Sequence, residues 1–194
     1  MRTAFDQKNS EFSDTAHMAA QTQIYPYIFN PQCRLSFEST TLNLGSQQSI
    51  LDGQMATDRI VSVSAESLKA PVRFYVQERF RRIQYARYQD ITITEWNNAS
   101  NQPSELYKLP GAGLFVYGYF DEQKQLFLDW IVVNTALLMR SIITEQLRCE
   151  FRQNNKRQDF INISFKSLRD SGSVIVEKRS TPFLETASHF ELAG

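Results

Sequence analysis

The sequence predicts an α+β fold in which a mixed central β-sheet is flanked by helices. Three observations carry this. A stretch of strong helix formers at 13–25 precedes a region, from Ile50 onward, where β-branched and aromatic residues gather into short runs. Polar turns close those runs, as antiparallel neighbours allow. A second helical pattern follows at 135–150, with further short strands beyond it.

Each element has a local reason. Ser13 and Asp14 are N-cap types, Ala16, Met18, Ala19 and Ala20 extend a helix, and Pro26 ends it near Tyr25 by disfavouring helical geometry in the preceding residue. Residues 30–48, rich in Asn, Gln, Ser and Thr, read as a loop with a short strand at Leu35–Phe37. Met55–Val63 and Val72–Phe80, joined by AESLKAP, form a hairpin, and Asp90–Trp96 (DITITEW) alternates cleanly and completes a meander. NNASNQPSE is a loop with a cap at Ser104 and a helical turn at Glu105–Leu109, cut off by Pro110-Gly111. Leu114–Phe120 and Leu126–Val133 make a second hairpin. Residues 135–150 place Leu137, Leu138, Ile142, Ile143 and Leu147 near one helical face. A charged connector, RQNNKRQD, leads to strands at Ile161–Phe165 and Val174–Glu177, and the last fifteen residues are expected to be loosely held.

The 194 residues suit a single domain, with a core at about 13–150 and a small C-terminal β extension at about 157–180. Apolar residues at 42% suffice for a core, and a net charge of zero excludes a wholesale basic protein without excluding a local patch. Fourteen Arg against seven Lys favour the planar donor that grips phosphate with two hydrogen bonds, and five of those Arg lie between Arg73 and Arg87. Cys33 and Cys149 have neither zinc-ligand nor disulfide-framework spacing, and MRTAFDQKNSEF lacks the apolar stretch of a signal peptide, so a cytoplasmic location is expected. The longest apolar run, Leu126–Leu138, is broken by Asp129 and Asn134, which argues against a membrane partner. With only His17 and His189, and no Gly-x-Ser-x-Gly, His-Glu-x-x-His or Walker pattern, serine-type, zinc-type and nucleotide-loop hydrolysis have little material. The Gly-x-Gly of PGAGLFVYG precedes a strand and reads as a turn.

Chemistry concentrates on two neighbouring strands. Residues two apart in a strand share a face, so Gln77, Arg79 and Arg81 form a polar row while Val76 and Phe80 face the core. Asp58, on the preceding strand, lies close enough to share that site. A carboxylate takes a hard cation, an amide oxygen adds a neutral ligand, and a guanidinium stabilises charge on a phosphate. Glu78 takes a lesser place, entering the site through a bulge or a register shifted by one.

These residues resemble the PD-(D/E)XK phosphodiesterases, the restriction-endonuclease-like family. Its core runs α-β-β-β-α-β, as residues 13–120 do in this reading, and its signature is an Asp on one strand followed on the next by an acid and, two positions later, a Lys. Asp58 matches the first acid, Gln77 fills the second acidic position and Arg79 the lysine. Both latter residues depart from the pattern, since Gln loses the charge and Arg does not readily surrender a proton. The resemblance implies a Mg²⁺- or Mn²⁺-dependent endonuclease acting on DNA, with Asp58 and Gln77 as metal ligands, or a weakened descendant that binds nucleic acid; it also implies that a homodimer is possible. It makes Asp14 or His17 an accessory candidate from the first helix, beside the plainer reading of a helix cap and a half-exposed histidine.

Arg73, Arg81, Arg82, Tyr85 and Arg87 offer phosphate grips and stacking faces, or else a solvated edge. Glu105 and Lys108 have the spacing of a simple ion pair, or Lys108 stands in for the family's lysine. Asp129 reads as a hydrogen-bonded acid in a half-exposed strand. Two non-catalytic readings stand beside the nuclease: an interaction subunit of a nucleic-acid-handling or defence assembly, and a protein interface built on the Arg- and Tyr-rich stretch 73–88.

Overall fold

The computed structural model describes residues 4–40, 55–154 and 158–179. Its frame is a six-stranded mixed sheet, covered on one face by helices and on the other by a second, four-stranded sheet. The expectations for residues 41–48 and for the last fifteen residues lie outside the described residues.

Helix α1 (Ala4–Gln23) begins earlier than expected, so Ser13 and Asp14 sit within it rather than at its cap. Phe12, Ala16 and Ala20 recur every four residues on its buried stripe, and the small alanines let the helix approach the sheet closely. The chain restarts as α2 (Tyr25–Ile28), with Pro26 in the first turn, where its missing N–H costs nothing.

The three-stranded meander forms, but from different strands. It consists of β1 (Arg34–Ser39), β2 (Arg59–Ser64) and β3 (Val72–Arg82), all antiparallel, with Phe37 opposite Val61 and Arg59 opposite Val76. DITITEW instead lies in β4 (Asp90–Asn97) of the second sheet, beside β5 (Gln102–Pro103). Its alternation marked a half-buried strand, and Ile91 and Ile93 are buried, yet alternation carries no information about the partner. After β4 the chain passes through α3 (Glu105–Lys108) and a 3₁₀ turn, Leu109–Gly111, into β6 (Leu114–Asp121), parallel to β3. Strand β6 is buried along its whole length, so its run reads continuously apolar. It pairs antiparallel with β7 (Leu126–Asn134), which gives the expected second hairpin.

Helix α4 (Thr135–Ile143) is capped by the Asn134 side chain on the Leu137 N–H and ends before residue 150, where Glu145 takes the left-handed conformation at φ 57°. Leu138 is buried, but Leu137 and Ile143 are 42% and 74% exposed, so the expected five-residue face is only partly used. The charged connector is itself structured in part: β8 (Glu150–Asn154) and β9 (Gln158–Ser164) pair with each other, and β9 with β4. Phe165 opens α5 (Phe165–Asp170) instead of ending a strand, because the Ser164 side chain accepts the Ser167 N–H and caps a helix there. Strand β10 (Val174–Lys178) completes the large sheet in the order β1-β2-β3-β6-β7-β10; the small sheet runs β5-β4-β9-β8.

Two apolar clusters hold these layers. Phe12, Ile24, Val76, Val116 and Trp130 lie between the helices α1 and α2 and the large sheet. Ile91, Ile161, Phe115, Tyr117 and Phe165 lie on its other side, where the small sheet covers it. Asp129 is fully buried rather than half-exposed, and its Oδ2 accepts from Gln89 Nε2 at 2.8 Å. Among the described residues no helix is long and apolar enough to cross a membrane.

One close approach sets the path into β2. A Cβ on Gly111 would lie 2.6 Å from Met55 Cβ and 2.8 Å from Met55 Cα, so the backbone leading to Asp58 must shift to admit it. Gly111→Ala is expected to cost about 1–3 kcal/mol of stability, read as a lower urea midpoint with an unchanged m-value.

Candidate functional site

Strand β3 outruns its neighbour. The register with β2 ends at Arg59 opposite Val76, whereas β3 continues beside β6 to Arg82 without a register shift. A cleft of about 410 Å³ opens at this step, lined among others by Asp58, Gln77, Arg79, Glu105, Lys108 and His17.

Asp58 occupies the step and is fixed by backbone. Its N–H donates to Val76 O at 2.9 Å, its carbonyl accepts the Thr40 N–H at 3.1 Å, and its Oδ2 accepts the Glu78 N–H at 2.8 Å. The carboxylate thereby takes up a β3 donor just beyond the end of the β2 ladder, a reason for an acid at this position independent of any chemistry.

Gln77 and Arg79 share a face and converge on one acid. Gln77 Nε2 donates to Glu105 Oε1 at 3.2 Å, Arg79 Nη1 forms a close ion pair with Glu105 Oε2, and the Thr94 N–H donates to the same Oε2 at 3.2 Å. Glu105 thus fixes the orientation of both side chains, rather than serving only as a partner for Lys108. Gln77 Oε1 is buried and has no hydrogen-bond partner among the described residues. An orphaned amide oxygen costs free energy unless something satisfies it.

Glu78 points to the opposite face. Its side chain, 1% exposed, takes a hydrogen bond from Tyr25 Oη at 2.6 Å, contacts Arg59 Nε at 3.3 Å and forms a close pair with His17 Nδ1. His17 of the first helix therefore meets Glu78, with its ring edge against Phe80 at 5.2 Å between centroids. Burial, followed by the charge of Glu78, pushes the Tyr25 hydroxyl well above its ordinary range, so it stays a donor.

The remaining cations divide by strand parity. Arg81 Nη1 donates to Thr92 Oγ1 at 3.1 Å, lies 3.8 Å from Asp90, and its guanidinium sits 4.3 Å from the Tyr85 ring centre. Burial raises the Asp90 carboxyl above the usual aspartate range, while the Tyr119 hydroxyl and Arg81 pull it the other way. Arg82 turns to the α1 face, bonded to Glu122 at 2.9 Å and seated over Phe12. Arg73 stands at the far end of β3 beside Glu38, and Arg87 folds onto its neighbour Tyr88. Of the six cationic and aromatic candidates, Arg81 and Tyr85 line the cavity beside the cleft and Lys108 lines the cleft itself, whereas Arg73, Arg82 and Arg87 line neither.

No family model, curated protein or solved structure matches this chain.

Residue reasoning missed three contributors. Glu105 was paired with Lys108 by spacing, while Arg152 and Asn162 come from the β8–β9 hairpin, half of which was read as connector. Among the described residues no three His, Cys, Asp or Glu side chains come together as a metal cage. Three carboxylates, Asp58, Glu78 and Glu105, and the amide of Gln77 line the cleft. Glu105 is engaged by Arg79 and Gln77, and Glu78 by Tyr25, Arg59 and His17, so the oxygen donors considered for a cation are the Asp58 carboxylate and the buried Gln77 Oε1. That set fits a hard cation such as Mg²⁺, which keeps several waters and takes ligands from a bound phosphate.

Proposed function

We propose that the chain is a metal-dependent phosphodiesterase of nucleic acid on a restriction-endonuclease-like core, or a weakened descendant that still binds nucleic acid. The observation that carries this is Gln77, whose buried amide oxygen has no hydrogen-bond partner among the described residues, lining the same cleft as Asp58 together with the cations Arg79 and Lys108. The element order supports it as well: α1, the antiparallel β1-β2-β3, a crossover bearing α3, and β6 parallel to β3. The crossover departs from the simple pattern by carrying strands of a second sheet and only short helical pieces, the 3₁₀ helix Ile83–Tyr88, α3 and the 3₁₀ turn Leu109–Gly111.

Asp58 and Gln77 would hold Mg²⁺ or Mn²⁺, which supplies Lewis-acid polarisation of the phosphodiester and a more acidic bound water. Arg79, aimed by Glu105, offers N–H donors to a phosphate oxygen as charge develops there. Lys108 adds a compact positive charge in place of the lysine that the arginine displaces. A guanidinium offers donors and no acceptor, so Arg79 binds and orients and does not act as a base.

A second reading, a non-catalytic binding subunit on the same surface, is favoured by Gln77 in the acidic position and by the engagement of Arg79 with Glu105. Incubating plasmid with protein and Mg²⁺ or Mn²⁺ separates the two. The nuclease reading expects nicking or linearisation that chelation abolishes; plasmid bound but intact under every divalent ion supports the binding reading instead.

A further inference from the structure

Where the polar row of β3 reaches the face of the small sheet that carries Thr92, Thr94 and Asn162 lies a cavity of about 520 Å³ whose walls include Arg79, Arg81, Tyr85, Arg152, Phe160 and Asn162. Its size is within the range of small-ligand sites. Its chemistry is that of a nucleotide site. Arg81 is already seated on the Tyr85 ring, so a flat cationic platform is built before any ligand arrives. Phe160 adds an aromatic surface. Asn162 is held in one amide orientation, because its Oδ1 accepts from Thr92 Oγ1 at 3.2 Å, and its amide N–H₂ has no partner among the described residues. It is therefore a free donor for an acceptor on a base edge. Arg152 reaches the cavity from strand β8, with 59% of its side chain exposed and Glu150 as its ion-pair partner.

The cavity is also part of a path. At one end Arg79 and Thr94 line both it and the Asp58 cleft. At the other, Tyr88, Asp90, Arg152 and Asn162 are shared with a further cavity of about 400 Å³ that Arg148, Ser164 and Ser167 also line. A chain of phosphates can follow this groove past Arg148, Arg152, Arg81 and Arg79 towards Asp58. A cavity of about 520 Å³ is of a size to take one unstacked base and is too small to take a base-paired duplex.

We propose that this cavity binds one unstacked nucleotide of a single strand, its base on the Arg81–Tyr85 platform and Phe160, and its flanking phosphates against Arg152 and Arg79. The ligand class rests on the nucleic-acid reading above; the metal chemistry is not needed for it. The test is fluorescence anisotropy in chelator at low salt, with a labelled short oligothymidylate and the same strand annealed to its complement. The single strand binds at least about 10-fold more tightly than the duplex, Tyr85→Leu weakens single-strand binding about 10-fold, and Tyr85→Phe restores it, as expected for the loss and return of one stacked base. Tyr85 also packs against core residues, so Arg152→Ala, on an exposed strand, is the second variant and lowers single-strand affinity without altering the melting curve. Equal binding of both forms, unchanged by Tyr85→Leu and Arg152→Ala, overturns the cavity proposal and leaves the nucleic-acid reading standing. Absence of binding to either form overturns both. Selective single-strand binding without any metal-dependent cleavage upholds the cavity and removes only the nuclease.

Discussion

Asp58→Asn is expected to lower the proposed metal-dependent cleavage by at least about 100-fold, a loss of about 3 kcal/mol of transition-state stabilisation. The variant is chosen because the fold uses the same residue. Asp58 Oδ2 accepts the Glu78 N–H at the step between β2 and β3, and an asparagine oxygen can accept it as well. Asn keeps that cap and removes the charge, so a large drop in rate with an unchanged urea midpoint assigns the effect to the carboxylate. Asp58→Ala removes both, and its loss of activity is partly a loss of fold. A cleavage rate for Asp58→Asn within a few-fold of the parent protein contradicts the assignment of Asp58 to the metal.

Glu78→Ala is the largest expected stability effect, about 3–5 kcal/mol, because it leaves buried partners of a carboxylate uncompensated. Four elements meet at that side chain: His17 from α1, Tyr25 from α2, Arg59 from β2 and Glu78 itself from β3. Removing it strands the Arg59 guanidinium and the Tyr25 hydroxyl beneath the helices. Glu78→Gln, which retains an acceptor for Tyr25 and loses the charge facing Arg59 and His17, costs less. Urea denaturation gives both values from shifts in midpoint at constant m. A Glu78→Ala protein within about 1 kcal/mol of the parent shows that the cluster is not a structural anchor.

Position 78 also shows how far residue patterns reach. Strand parity placed Gln77, Arg79 and Arg81 on one face and Val76 and Phe80 on the other, and the structure has them so, because parity is a property of the pleat alone. What parity left open was the use of Glu78 on the core face. An acid among apolar neighbours is legible as an anomaly, but its partners His17 and Tyr25 lie 61 and 53 residues away in sequence, beyond any local pattern.

The same limit explains the sheet assignments. Strand β6 was plain from LFVYGYF, since burial on both faces leaves a continuous apolar run. Strands β1 and β4 were not: RLSFES is polar enough to resemble loop, and DITITEW has a clean alternation that suits either sheet. Their partners are chosen by long-range packing. Helix α1 was recognised in its Ala-rich half, whereas its earlier turns are polar and carry little periodic signal. Glu105 is the clearest case at the site. Its spacing to Lys108 suggested an intrahelical pair, yet its carboxylate closes on Arg79, 26 residues upstream, because the crossover lays α3 against the polar row of β3.

The central claim is that one carboxylate and one amide oxygen, at positions 58 and 77, form a hard-cation site in an open cleft. A crystal soaked in Mn²⁺ tests it most directly through the anomalous signal of the metal. The account predicts a peak bonded to the Asp58 carboxylate and to Gln77 Oε1, with waters completing the shell. Crystals of the same protein with no peak in that cleft, or with Gln77 Oε1 turned into a protein hydrogen bond, contradict it.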